Sequence, residues 1–136
     1  MSDIGTLYGG QGQSWAVAIN GRGQVVGSSV SPDGAMTHAF LFEGGVMTDL
    51  GTLYGGYSYA LGVNDNGVIV GESDGTAFIY RDGMMTDLNL ITPHDAGLLR
   101  LELAWDINAS GQIVGRGVFL DKGPRAVLLN PTGPTQ

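Results

Sequence analysis

An all-β fold made of three copies of one unit is what this chain of 136 residues predicts. Two observations carry that reading, and a third refines it. The octapeptide Asp49-Leu50-Gly51-Thr52-Leu53-Tyr54-Gly55-Gly56 repeats Asp3-Ile4-Gly5-Thr6-Leu7-Tyr8-Gly9-Gly10 with one substitution, and a decayed copy opens at Asp87-Leu88-Asn89-Leu90. The copies start 46 and then 38 residues apart, in the range of propeller blades and other repeat architectures. Between the copies, runs of β-branched and aromatic residues alternate with Asn/Gly and Asp/Gly turns, and no stretch shows a helical period. Within the first run of the first two units large residues alternate with small ones, so neither face of those strands reads as wet.

The first strand is Ser14-Trp15-Ala16-Val17-Ala18-Ile19-Asn20, matched by Ser58–Asn64 and Glu102–Asn108. Strict alternation would send Trp15, Val17 and Ile19 to one side and Ser14, Ala16 and Ala18 to the other. Each run ends in a turn of the form Asn-x-x-Gly, at Asn20–Gly23, Asn64–Gly67 and Asn108–Gly111. The asparagine can bond its own backbone two residues on and the glycine accepts positive φ, so each turn closes a β-hairpin. The second strands are Gln24–Gly27, Val68–Gly71 and Gln112–Gly115. After a loop of variable length come the third strands, His38–Phe42, Thr76–Tyr80 and Arg125–Leu129. A glycine turn leads to the fourth, Val46–Leu53 in the first unit and Met84–Leu88 in the second.

Sheets that contrast large with small side chains must be covered on both faces, as radially stacked propeller blades are. The third unit lacks a fourth strand after Leu129-Asn130-Pro131, and the chain opens with that missing piece. We therefore expect one domain over 1–136, with units 3–48, 49–86 and 87–131 and an N-terminal strand 3–8 that completes the last unit. Three blades are too few for a closed propeller of four to eight. The expected assembly is a six-bladed ring of two chains. A β-trefoil or β-prism monomer, with three four-stranded repeats, is the alternative.

Composition excludes several classes of function. Thirteen acidic against six basic residues give a net charge of −7, and no run of Lys or Arg exists, so neither nucleic acid nor an anionic membrane is an expected partner. No apolar stretch approaches the length of a membrane span, and Met1-Ser2-Asp3 has no signal-peptide character. The absence of cysteine removes disulfides and thiolate metal sites.

His38-Ala39-Phe40-Leu41-Phe42, then Gly45–Leu53 and Ser58–Asn64, resemble the HAF repeat, a family of bacterial repeat proteins named for that triplet. The third unit is similar to the family's usual last repeat, from Asp87-Leu88-Asn89 through Asp106-Ile107-Asn108 to Arg125–Pro131. The resemblance covers Asp3 to Pro131 and implies an extracellular or cell-surface protein, this chain matching the C-terminal portion of a longer member. It implies no activity or catalytic residue. The triplet is intact once only, since Thr76 and Arg125 stand for His38, and Val127 for Phe40.

No constellation points to catalysis. His38 heads a strand and His94 lies in the Thr92-Pro93-His94-Asp95 loop, with no nucleophile motif or third ligand beside either. Asp3, Asp49 and Asp87 share one register. Gathered together they would suit calcium, but bonding of each carboxylate to its own backbone is the simpler role. Asn64-Asp65-Asn66-Gly67 lacks the remaining ligands of a calcium loop, and the Gly-Gly segments lack the Lys-Ser/Thr of a phosphate loop. No catalytic residue, metal site or cofactor is therefore expected. Tyr8, Tyr54 and Tyr57 beside the Gly-Gly segments are the candidate ligand-binding residues, because exposed aromatic platforms stack on sugars or anchor protein partners. Trp15 and Trp105, on strands, are expected in the core. The function that follows is a non-enzymatic binding or interaction module for a glycan or protein. A lectin-like threefold fold and an enzyme with a site at the propeller axis are the alternatives.

Overall fold

The computed structural model describes residues 1–131. The expected domain 1–136 runs five residues further, into 132–136, which lie outside the described residues. Among the described residues eleven strands form three antiparallel sheets. Sheet 1 contains β1 (Gln13–Ile19), β2 (Val25–Val30), β3 (Thr37–Glu43) and β4 (Val46–Asp49) in sequence order. Sheet 2 repeats this with β5 (Ser58–Val63), β6 (Ile69–Ser73), β7 (Thr76–Arg81) and β8 (Met84–Asp87). After a one-turn 3-10 helix (Leu88–Leu90), sheet 3 has, among the described residues, β9 (Leu98–Ile107), β10 (Ile113–Phe119) and β11 (Gly123–Leu129). No helix among the described residues is long and apolar enough to cross a membrane.

The turn residues explain the hairpins. Asn20 Oδ1 accepts from the N–H groups of Arg22 (3.0 Å) and Gln24 (2.9 Å), and Asn64 Oδ1 does the same for Asn66 and Val68 (3.0 Å each). Asn108 Oδ1 accepts from Gln112 N–H at 2.9 Å. In the outer hairpin of sheet 2 both residues of the Asp82-Gly83 turn take positive φ (54° and 76°), the geometry that matches the right-handed twist of the flanking strands.

Strict alternation along the first strands does not hold. Ala16 pairs with Gly27 but Ala18 with Val26, so Val17 is an extra, bulged residue; Leu61 and Trp105 are bulged in the same way. A bulge shifts the side-chain phase by one. Ala60 and Val63 consequently share one apolar cluster, and Ala104 and Ile107 share another. Opposite each bulge the partner strand must be glycine. A Cβ on Gly27, Gly71 or Gly115 would lie 1.8, 2.0 or 2.2 Å from the carbonyl oxygen of Trp15, Tyr59 or Leu103.

The sheets stack face to face in series. β5 lies against β1, β2 and β3, and β9 lies against β5, β6 and β7. Val26, Ala39 and Leu50 meet Ala60, Val63 and Ile69 between sheets 1 and 2; Val70, Ile79 and Leu88 meet Leu101, Ile107 and Ile113 between sheets 2 and 3. No extended packing joins sheet 1 to sheet 3.

Two expectations about individual segments are corrected, the length of the fourth strand of sheet 1 and the burial of the tryptophans. The fourth strand of sheet 1 stops at Asp49, because Asp49 Oδ1 accepts from Gly51 N–H (2.8 Å) in a local turn and Gly51 has φ 79°. Within the single chain residues 3–8 do not pair with β11, the pairing expected of them being with a second chain. They adopt the same connector shape as 49–54, with Asp3 Oδ1 accepting from Gly5 N–H (2.9 Å), and Leu7 N–H donating to Ser29 Oγ (3.1 Å) as Leu53 N–H does to Ser73 Oγ (2.9 Å). Trp15 and Trp105 are half exposed (50 % and 53 %) instead of core. Their strands, β1 and β9, belong to the two outer sheets of the series, each covered on one face only.

Replacing Gly71 by alanine should lower unfolding free energy by roughly 2–4 kcal/mol, since the backbone carbonyl in its path cannot rotate away. Chemical denaturation measures this, and an unchanged midpoint would refute the bulge as a fixed feature.

Candidate functional site

The three expected tyrosines take different surroundings. Tyr54 follows the connector from sheet 1 to sheet 2, and its N–H donates to Asp74 Oδ2 at 2.9 Å. Tyr57 N–H donates to the other oxygen of the same carboxylate at 3.2 Å. Asp74 can reach both because it sits in the β6–β7 turn at φ 54°. Gly56 has no side chain for a physical reason, as its Cβ would fall 1.9 Å from Asp74 Oδ1. One carboxylate thus fixes the loop that carries two aromatic rings.

The ring ends are fixed as well. The Tyr54 hydroxyl donates to Asp87 Oδ2 at 2.5 Å, while the residue remains 63 % exposed. The Tyr57 hydroxyl donates to Glu72 Oε2 at 3.0 Å, and its ring lies 5.3 Å from that of Tyr59, tilted by 56°. Tyr57, Tyr59 and Glu72 therefore form a small aromatic–acid patch on sheet 2. Tyr8 is the equivalent of Tyr54 but belongs to sheet 1, where its hydroxyl reaches Met36 O at 3.5 Å. The structure brings Tyr54 and Tyr57 together on one anchored loop and leaves Tyr8 on the neighbouring unit.

All three phenols are held above the ordinary value of 10.0. For Tyr54 the cause is first the hydrogen bond to Asp87; for Tyr57 it is burial, then the bond to Glu72; for Tyr8 it is burial, then the charges of Asp49 and Asp33. Each hydroxyl is consequently a proton donor to a neighbour throughout the neutral range.

The other candidates resolve into local roles. Asp3, Asp49 and Asp87 each accept from the N–H two residues on, those of Gly5, Gly51 and Asn89; Asp49 and Asp87 end β4 and β8, and Asp3 lies ahead of β1. His38 Nδ1 lies 3.0 Å from both carboxylate oxygens of Asp49, so the histidine ties β3 to the end of β4. His94 is exposed in the connector before β9. Among the described residues no group of three or more potential metal ligands converges.

Two features escaped sequence reasoning. The turn asparagines reach across units: Asn20 Nδ2 donates to Asn64 O (2.8 Å) and Asn64 Nδ2 to Asn108 O (3.0 Å). The presence of the same Asn in all three turns was the available signal. The second feature is a half-open cleft of about 840 Å³ between sheets 2 and 3, walled by Leu88, Leu98, Ile113 and Phe119 and edged by Arg81 and Asp95. It adjoins the sheet that has three strands instead of four, and Val127, where the other units carry Phe40 and Phe78, is in its wall.

No protein-family model, no curated protein and no solved structure matches this chain.

An ultraviolet titration should show a tyrosine deprotonating above 10.0 that the Tyr54→Phe variant lacks. The folded phenol holds its proton more tightly than the unfolded one. Its share of stability is therefore complete below about pH 10 and is lost as pH rises through the higher folded value. If the phenol missing from the variant titrates at the ordinary value of 10.0 in the wild-type chain, the Tyr54–Asp87 bond does not persist in solution.

Proposed function

We propose that this chain is a non-enzymatic interaction module of the β-propeller type, built from HAF-like repeats, working outside the cell and binding a glycan or a protein through the tyrosines of its connectors. The observation that carries the binding reading is Tyr54, a residue 63 % exposed although its hydroxyl is bonded to Asp87 and its backbone to Asp74. A ring fixed at both ends loses little conformational entropy on binding and presents its face to the axial C–H groups of a sugar or to a partner side chain. The Tyr57–Tyr59–Glu72 patch supplies a second aromatic surface with an acceptor beside it. Four-stranded antiparallel sheets stacked in series support the propeller reading. Closure of that series by a second chain gives the six-bladed ring.

The Tyr8→Ala/Tyr54→Ala double variant should keep the thermal midpoint within a few degrees yet lose retention on an immobilised glycan array by at least about tenfold, a difference of ~1.4 kcal/mol. Undiminished retention in a folded double variant would remove the aromatic reading. An array on which the wild-type chain binds nothing would move the ligand to the protein class.

A further inference from the structure

We infer that the outer face of sheet 3 docks on the outer face of sheet 1 in a second copy of this chain, and that residues 1–4 of that copy complete sheet 3 as its fourth strand. The inference rests on the two-chain propeller proposed above and specifies its contact. Its basis is that the chain contains the same inter-sheet joint twice. Each joint puts one face of a unit against the opposite face of the next, and the two halves of a third such joint remain open at the ends of the series.

Equivalent residues show which halves these are. Val63 and Ile107 are buried (8 % and 7 %) where sheets 2 and 3 receive a neighbour, whereas Ile19 at the same position of sheet 1 is 68 % exposed. On the opposite face Val26 and Val70 are fully buried and Val114 of sheet 3 is 45 % exposed. Ala39 and Ala77 are likewise buried, while Ala126 is exposed. Phe40 is the exception, buried on sheet 1 without a neighbouring sheet.

Polar groups repeat the pattern. Between sheets 1 and 2, Leu50 N–H donates to Ala39 O (3.0 Å), Ala39 N–H donates to Ser58 Oγ (2.8 Å), and Asn20 Nδ2 donates to Asn64 O (2.8 Å). The counterparts at the open ends are Ile4 for Leu50, Ala126 for Ala39, Ser14 for Ser58, and Asn108 with Asn20 for the asparagine step. Ser14 Oγ donates to Gly5 O as Ser58 Oγ does to Gly51 O, and Asn108 Nδ2 donates to Gln112 Oε1 within its own turn. Joining two copies lets Ile4 N–H meet Ala126 O, Ala126 N–H meet Ser14 Oγ, and Asn108 Nδ2 meet Asn20 O across the interface.

The strand itself is spelled out in the sequence. Met1-Ser2-Asp3 reads like Met47-Thr48-Asp49 and Met85-Thr86-Asp87, the ends of β4 and β8. In those sheets Asp49 lies opposite Phe40 and Thr48 opposite Leu41, which puts Asp3 of one copy opposite Val127 of the other and Ser2 opposite Leu128. Arg125 then stands where His38 contacts Asp49 at 3.0 Å, facing Asp3 with a permanent positive charge. The ends are also complementary overall. Sheet 3 carries four of the six basic residues against three acids, whereas residues 1–49 carry four acids and one arginine. Such a head-to-tail contact is heterologous, and closes only if its rotation brings the second copy back to the first.

Light scattering at micromolar concentration should give twice the chain mass, and Ile19→Asp or Val114→Asp should halve it while Met36→Gln leaves it unchanged. Because the chain has no cysteine, a Ser2→Cys/Leu128→Cys variant should oxidise to a covalent dimer, directly opposed strand residues lying within disulfide range. A monomeric wild type would overturn both the ring and this contact. A dimer that neither aspartate variant splits, and in which the two cysteines do not join, would overturn the contact and leave the ring to another surface. Cross-linked chains longer than dimers would keep the contact and overturn the six-bladed closure.

Discussion

The turn asparagine is the interaction on which the three units depend. Its carboxamide oxygen closes its own hairpin, and its amide nitrogen donates to the carbonyl of the next turn, in the steps from Asn20 to Asn64 and from Asn64 to Asn108. The same side chain therefore shapes a unit and sets its spacing from the following one. Apolar packing between sheets is not directional, so a sheet could slide on its neighbour at small cost. Hydrogen bonds of 2.8–3.0 Å between turns remove that freedom. Among the described residues no buried side-chain nitrogen or oxygen lacks a hydrogen-bond partner, so this fixation leaves no polar group stranded inside.

Much of this architecture was legible in the residues. The octapeptide repeat, the Asn-x-x-Gly turns and the β-branched runs located three sheets and their hairpins, because those signals are local and each has one structural use. The bulges at Val17, Leu61 and Trp105 were not legible as such. A large–small alternation reads as period two whether or not one residue is extra, and only the glycine opposite hinted at a carbonyl pressing close. The fourth strand looked too long for a related reason. Leu50 is buried in the inter-sheet cluster, so its hydrophobicity resembled that of a strand residue although it lies in the connector.

The site was legible in part. Position beside Gly-Gly singled out Tyr8, Tyr54 and Tyr57, but their partners Met36, Asp87 and Glu72 lie 28, 33 and 15 residues away in sequence. No periodic signal links residues across units at such distances. Asp74 is a residue of the β6–β7 turn, at φ 54°. Its second role, holding two backbone N–H groups of the tyrosine loop, follows from where the fold sets that turn. The tryptophans illustrate the opposite limit. Their place on strands argued for burial, and only the serial arrangement of the sheets shows that β1 and β9 lie in the two outer members.

That serial arrangement has a consequence for how the molecule comes apart. Each sheet touches only its immediate neighbours, so cooperativity passes along the series as it does in solenoids, one contact at a time. Sheet 2 has two neighbours to lose, whereas sheets 1 and 3 have one each. In a single chain with no second copy on its outer sheets, thermal opening will accordingly begin by fraying at those sheets, and the amides of β5 and β6 will be the last to exchange with solvent.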